Sequence, residues 1–297
     1  MTRPVILLTG ARGQTGWELA RSLACLGEVV APARSQLDVA DLPVLRETVR
    51  ALRPRLIVNA AAWTQVDDAE ASPEAARALN AHAPAVLAEE ARRGGALLAH
   101  YSTDYVYDGH GLRPWREDAA ASPLNVYGRT KLEGDEAILA SGCRHLILRT
   151  SWVYGARGRN FLTTMQRLLP EREELRIVAD QIGAPTWSRH LADATAQMLG
   201  QVHSPARGAD RPEPWGVYHM VNAGETSWHG FAAAIRKRMT ASPMAQLIPI
   251  PASAYPTAAR RPQNSRLDCD KLERVFGLRL PPWEEALEAC LAAASDG

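Results

Sequence analysis

Residues 5–16 read VILLTGARGQTG. Four aliphatic residues run without a polar break into a turn that carries glycine at positions 10, 13 and 16. Beyond it, apolar residues recur at helical spacing through residue 26. A short apolar run, a glycine turn and an amphipathic pattern together predict strand, turn and helix. Each glycine has a separate reason to be there. Gly10 permits the tight turn, Gly13 lets the backbone approach a pyrophosphate, and Gly16 lets helix and strand pack closely. The helix that follows points its N-terminus at the negative charge. The spacing is GxxGxxG and not the GxGxxG of the ordinary dinucleotide fingerprint. The turn therefore gains its meaning from the strand before it and the helix after it.

The same alternation continues outward from this stretch. Strands are expected at 28–31, 56–59, 96–101 and 145–150. Helices are expected at 15–26, 42–52, 73–93 and 127–139. Continuous apolar strands alternating with helices predict an α/β fold with a doubly wound parallel sheet of Rossmann type. Its ligand belongs beyond the carboxyl ends of the strands. Past residue 150 the pattern loosens. A strand at 217–222 and helices at 228–239 and 283–293 remain legible. Residues 203–214 (HSPARGADRPEP) read as a surface loop. We therefore expect a dinucleotide-binding domain over 1–150 and a smaller, mainly substrate-binding C-terminal lobe over 151–297, with segments free to cross the boundary.

Composition narrows the function. The chain has 297 residues, 46% of them hydrophobic, enough to bury a full core. A net charge of +1 leaves no basic field for nucleic acid. Cys25, Cys143, Cys269 and Cys290 are scattered with no CxxC, as in a reducing compartment. No apolar run is long enough to cross a membrane. A cytoplasmic protein acting on a small molecule is the expectation.

Just past the second expected strand come Ala33-Arg34-Ser35, where an acidic residue would bind the ribose 2′-hydroxyl of NAD. No acid follows until Asp38, and Arg12 lies inside the glycine turn. Two guanidiniums suit a 2′-phosphate, because arginine offers paired donors to phosphate oxygens. NADPH is the expected cofactor, with NADH the alternative if Arg34 is only a solvated surface residue.

Residues 126–134 read VYGRTKLEG. Tyr127 and Lys131 are four apart on an expected helix and so share a face. The chain has 34 Lys plus Arg, of which only Lys131, Lys237 and Lys271 are lysine. That bias makes a lysine at this position informative. Tyrosine ionises near pH 10, too high for an efficient proton donor near neutrality, and a nearby ammonium, together with the oxidised nicotinamide, would lower it. Lysine is also compact and flexible enough to reach ribose hydroxyls, as planar arginine is not. Upstream, HYSTDYVYDG (100–109) places the hydroxyls of Ser102 and Thr103 at a strand end. Thr103 is positioned to hydrogen-bond a substrate carbonyl together with the phenol.

Taken together, TGARGQTG (9–16), LDVAD (37–41), NAAAWTQVDDAE (59–70), HYSTDYVYDG, PLNVYGRTKLEGD (123–135), RTSWVYG (149–155), DQIGAPT (180–186) and ARRPQNSRLD (259–268) resemble the extended short-chain dehydrogenase/reductases. The likeness is strongest to members that reduce dTDP-linked 4-keto-6-deoxy-L-sugars, and it runs over essentially the whole chain. It implies hydride transfer from NAD(P)H to C4 of dTDP-6-deoxy-L-lyxo-4-hexulose, giving dTDP-L-rhamnose. Tyr127 would be the proton donor, with Lys131 tuning it and holding the nicotinamide ribose, and Thr103 would complete the catalytic set. The resemblance places Gly13, Gln14 and Thr15, Asp38 and Val39, and Ala62, Trp63 and Thr64 against the cofactor. It places Asp104 and Trp152 near the sugar. Charge alone nominates Arg260 or Arg261 for the substrate diphosphate, with a structural arginine the competing reading. Two other readings share the fold. One is a different dTDP-4-keto-deoxysugar reductase or epimerase. The other is a non-catalytic NADP-binding regulatory subunit of methionine adenosyltransferase, a branch that loses parts of the sugar-site set kept here.

Some members of the family form dimers bridged by Mg²⁺ between carboxylates. Glu18 keeps one such position, but the others fall at Arg189 and Ala293. An oxygen site invaded by arginine does not suit Mg²⁺. No metal-bridged dimer is expected, and a monomer or weak homodimer remains.

Overall fold

A computed structural model describes residues 3–203, 213–240 and 243–295. The first half alternates as expected: β1 (Val5–Thr9), α1 (Gln14–Ser22), β2 (Glu28–Val30), α2 (Leu42–Leu52), β3 (Leu56–Asn59), α3 (Val66–Ala71), α4 (Pro73–Arg77), α5 (Ala83–Gly94), β4 (Leu97–Thr103), α6 (Val126–Ala140) and β5 (Arg144–Thr150). The second half adds β6 (Val153–Tyr154), α7 (Phe161–Glu171), β7 (Glu174–Val178), β8 (Ile182–Gly183), β9 (Thr186–Trp187), α8 (Ser188–His203), β10 (Gly216–His219), β11 (Thr226–Ser227), α9 (Trp228–Arg238), β12 (Gln246–Ile250), β13 (Asn264–Ser265), α10 (Asp270–Phe276) and α11 (Trp283–Ser295).

A six-stranded sheet runs in the order β10-β5-β4-β3-β1-β2, with every pairing parallel. Strand periodicity sorts its residues between two cores. Ile6, Leu8, Val58, Ala99 and Leu148 face Leu19 of α1 and Leu191 and Met198 of α8. Leu7, Ile57, Leu98 and Ile147 face Leu45 of α2, Leu87 of α5 and Ile138 of α6. Both faces are covered, which is why the strands lack polar alternation.

The lobe has its own aromatic core, where Tyr154, Trp187, Phe231 and Trp283 pack with Leu162 and Leu287 from α7 and α11. Its strands form small separate ribbons. Two segments after residue 150 return to the main sheet. Helix α8 packs on α1, and β10 pairs with β5 at the edge, Gly216 opposite Leu146. The expected strand at 217–222 is thus shorter, and it belongs to the sheet and not to the lobe. The loop read at 203–214 falls mostly outside the described residues.

The single helix expected at 73–93 is interrupted. Residues Ala78–His82 form a π-helical turn between α4 and α5. Gly134 of α6 packs against that turn so closely that a Cβ would lie 2.1 Å from the Asn80 carbonyl oxygen. Such turns inside helices often mark functional sites, and this one carries Asn80, which braces the loop beside the cleft described next.

Candidate active site

The first turn of α1 opens a cavity of about 390 Å³ beyond the carboxyl ends of β1, β3, β4 and β5. Its glycines behave as their spacing predicts. Gly10 has φ 73°, and a Cβ there would lie 2.5 Å from the Ala61 nitrogen. A Cβ on Gly16 would meet the Gly10 carbonyl oxygen at 2.1 Å. Gly13 is different: its Cβ would meet only that oxygen, at 3.3 Å, so little within the protein forbids a larger residue. Gly13 caps α1 with no side-chain hydrogen bond, and the first turn of the helix carries no acidic residue. Uncapped N–H groups and the positive end of the helix dipole fit a pyrophosphate.

The lining of this cavity gathers Gly10, Arg12, Gly13, Gln14, Thr15, Gly16, Arg34, Asp38, Val39, Ala62, Thr64, Tyr127 and Lys131. Trp63 is not part of the lining. Its backbone N–H donates to Asn80 Oδ1 at 2.9 Å, and its ring packs in a cluster with Tyr127. Asn80 also donates to the Trp63 carbonyl and to Thr130 Oγ1, both at 3.1 Å, so it ties the loop after β3 to α6. Asn80, Ser102 and Thr150 were not singled out as cofactor-side residues, yet the last two line the cavity. The NAAAWTQ stretch signals the loop, but nothing in it reveals the asparagine that braces it from a helix away.

At the adenosine end, Arg34 Nε lies 3.2 Å from Asp38 Oδ2, and the arginine side chain is 79% exposed. The Ala40 N–H, 3.0 Å away, and then Arg34 hold the Asp38 carboxyl below its usual range. A free guanidinium edge beside the cavity suits a 2′-phosphate. Arg34→Ala should cut the preference for NADPH over NADH, read as a ratio of kcat/KM, by about tenfold, since one charge-assisted hydrogen bond contributes roughly 1.5–3 kcal/mol. An unchanged ratio would make Arg34 a bystander.

At the other end stand the tyrosine and lysine. Helix α6 starts at Asn125, whose side chain accepts from the Gly128 N–H at 2.8 Å. Gly128 explains the glycine of the YGRTK stretch: its Cβ would lie 2.2 Å from the Tyr105 carbonyl oxygen, so only glycine lets α6 approach. The Thr103 hydroxyl bonds the Tyr127 phenol, donates to Asp104 Oδ1 at 3.2 Å and accepts from the Tyr105 N–H at 3.1 Å. Lys131 is 1% exposed; Nζ donates to the Tyr101 carbonyl at 2.6 Å and lies 3.0 Å from His100 Nε2.

These contacts correct the expected electrostatics. Burial pushes the Tyr127 phenol up to about 12, and the bond to Thr103 offsets only part of that. Among the protein's own groups, Lys131 is not one of those that lower it. Burial brings the lysine itself down to about 8, against a smaller upward pull from Asp135. A buried ammonium is itself costly, so it cannot serve as a fixed charge in this protein without further partners.

Asp104, expected near the sugar, is 3% exposed, and burial raises its carboxyl to about 7 despite hydrogen bonds to Ser265 and Thr103. Its folded pKa lies above the unfolded value of 3.8. The folded state therefore binds the extra proton, and stability falls as pH rises between those values, by about 1.4 kcal/mol per pKa unit. Asp104→Asn should raise the Tm at about pH 8 by several degrees and change it little at about pH 4. Equal shifts at both pH values would refute the assignment.

Trp152 has φ 47°, a left-handed conformation that costs energy for a bulky residue. Its indole stacks on Trp228 with centroids 3.7 Å apart. Strain held at a site often marks function, and this one presents two flat apolar rings together. Arg261 makes the contacts of a structural arginine, one of the two readings its charge allows. Both terminal nitrogens are taken by Asp67 of α3, at 2.6 and 3.2 Å, and the residue does not line the cavity. It ties the 259–268 segment to α3. Arg260 is exposed. At the metal-bridge position, Arg189 Nε donates to Glu18 Oε2 at 3.1 Å. Among the described residues no His, Cys, Asp and Glu cluster with metal-holding geometry occurs, and no helix is long and apolar enough to cross a membrane.

A glycine turn at a helix N-terminus and a Tyr/Lys pair at the far end of one cleft define an extended short-chain dehydrogenase/reductase. The family described as RmlD substrate binding domain matches residues 3–295, and the chain belongs to it. It is 50% identical over 293 residues to a dTDP-4-dehydrorhamnose reductase of Burkholderia thailandensis, covering 96% of this chain and 97% of that one. It is 47% identical over 294 residues to the enzyme of the same name from Salmonella typhimurium, covering 96% of each. The crystal structure of dTDP-4-dehydrorhamnose reductase from Bacillus anthracis in complex with NADP superposes with a TM-score of 0.89 at 33% identity, covering 99% of this chain and all of that one.

Proposed function

We propose that this protein reduces the C4 ketone of dTDP-6-deoxy-L-lyxo-4-hexulose to dTDP-L-rhamnose, with NADPH as the preferred reductant. The observation that carries the reading is one cavity that begins at the uncapped α1 N-terminus and ends at Tyr127 and Lys131. Gly13 and the first turn of α1 would hold the pyrophosphate, Arg34 and Arg12 the 2′-phosphate, and Lys131 the nicotinamide ribose. Bound there, NADPH supplies the hydride. Tyr127 gives its proton to the oxygen that emerges at C4. An alkoxide is far more basic than a phenolate whose acid ionises at about 12, so the transfer runs downhill. Thr103, hydrogen-bonded to the phenol, holds it in place. Trp152, with Trp228 stacked on it, would give the deoxysugar an apolar surface that requires no hydroxyl.

The test is a coupled assay with dTDP-4-keto-6-deoxy-L-sugar and NADPH, with the product sugar identified. Stoichiometric NADPH oxidation with formation of dTDP-L-rhamnose is expected. A different sugar product, or tight NAD retained through turnover, would point to an epimerase or a reductase of another sugar.

A further inference from the structure

A buried chain of hydrogen bonds runs behind the reacting pair. Thr9 Oγ1 donates to Asn59 Oδ1 at 2.6 Å, and the Ala61 N–H donates to the same oxygen at 3.2 Å. A backbone N–H can only donate, so that oxygen is the amide oxygen and the amide nitrogen points the other way. Asn59 Nδ2 then lies 3.0 Å from His100 Nδ1, which must accept. His100 is fully buried, and burial, with the neighbouring Lys131, drives it well below its ordinary pKa. A neutral imidazole that accepts at Nδ1 carries its proton at Nε2. Nε2 lies 3.0 Å from Lys131 Nζ, and the other candidate acceptor, Asp135 Oδ1, is 4.0 Å away and beyond hydrogen-bond reach. The Nε2–H therefore has the lysine nitrogen as its acceptor. Only a free amine can accept.

We propose that His100 is a positioning residue for Lys131: locked by Asn59 as the Nε2–H tautomer, it donates to Nζ and favours the amine over the ammonium. The groups around Nζ act in different directions. The Tyr101 carbonyl accepts from Nζ in either state. Asp135, one turn along α6, favours the charge. That carboxylate is already engaged through Oδ2 by Arg149 Nε at 3.1 Å and Ser102 Oγ at 2.9 Å. Tyr127 is neutral on the same helix. Burial is the larger cause of the low lysine pKa, and the His100 Nε2–H is the hydrogen-bond contact that adds to it by discriminating against the ammonium. On the proposed reaction, which gives the inference its catalytic meaning, Tyr127 loses one proton per turnover. A lysine that gives up and regains a proton near neutrality can restore it, and the amine then takes its proton from water.

The experiment is NMR of the purified chain without added cofactor, labelled with 13Cε-lysine. With three lysines in the chain, the Lys131 resonance is identified by its loss in Lys131→Met. The wild-type resonance should titrate near 8. In His100→Met, which removes the donor, the midpoint should rise by about one unit, a tenfold gain in proton affinity. Asn59→Ala frees the ring to present Nε2 as an acceptor and should move it in the same direction. A fall or no change in these variants would mean that the ring accepts from an ammonium, and would overturn the proposal. If neither variant folds, 15N-histidine spectra of the wild type decide: a His100 proton on Nδ1 overturns it, and one on Nε2 supports it. No turnover enters these readings. A protein inactive on the dTDP-sugar that still gives them would refute the reaction and leave this inference standing.

Discussion

Tyr127→Phe is expected to lower kcat by about 10³-fold and to leave the Kd for NADPH within roughly twofold. The phenol is the group in the cleft whose loss deletes a proton donor without deleting a wall. Its ring packs edge-on against Tyr105 with centroids 5.5 Å apart, and phenylalanine keeps that contact. The hydroxyl's partner is Thr103, which retains its bonds to Asp104 and to the Tyr105 N–H after the change. The glycine turn and the α1 N-terminus, which carry the cofactor's charge, are untouched. A drop confined to kcat is the signature of an interaction made in the transition state. Stopped-flow reduction under single turnover and fluorescence titration with NADPH separate the two quantities. A variant with near-normal single-turnover rates would remove Tyr127 from its role.

The strands that build this cleft were readable because burial on both faces leaves them continuously apolar, as VILLT shows, and because glycine marks the turns between them. Tyr127 and Lys131 were readable because a helix puts residues four apart on one face. What escaped has a common cause. Helix α8 has a legible apolar stripe, Leu191, Met198 and Leu199, but it packs on α1, some 170 residues earlier in the chain. Likewise β10 is four residues long and finds its partner β5 about 70 residues upstream. Pattern along the chain cannot reveal a partner so far away. The π turn at Ala78–His82 is hidden for a related reason, since its extra residue answers to Gly134 on another helix. Electrostatics escaped too. A lysine near a tyrosine predicts a lowered phenol only if the ammonium is solvated or paired, and the sequence does not show that Lys131 is buried against His100. Arg261 was ambiguous in the sequence for want of Asp67, which is 194 residues away and supplies its counter-charge.

Lys131→Arg, an exchange of one basic side chain for another, should cost at least about 10²-fold in kcat/KM. The lysine occupies its place as a slender chain, 1% exposed, with Nζ 2.6 Å from the Tyr101 carbonyl oxygen and 3.0 Å from His100 Nε2. A guanidinium is wider, rigid and carries only donors, and it cannot lose its proton near neutrality. Two consequences follow in the same pocket. The plane cannot fit the space between β4 and α6 without displacing His100, whose other nitrogen is held by Asn59. It also turns a donor toward the imidazole Nε2–H, so two donors face each other where a donor met an amine. Relief requires His100 to swap tautomer and break its bond to Asn59, and Asn59 is also the residue that bonds Thr9 and the Ala61 N–H at the glycine turn. The damage should therefore reach the cofactor as well as the chemistry. Unlike Tyr127→Phe, this variant is expected to weaken NADPH binding and to lower the single-turnover rate together. Normal kinetics in Lys131→Arg would mean that a positive charge alone suffices at this position. A loss confined to kcat would mean that the chain from Lys131 through His100 and Asn59 to Thr9 does not couple the two ends of the cleft.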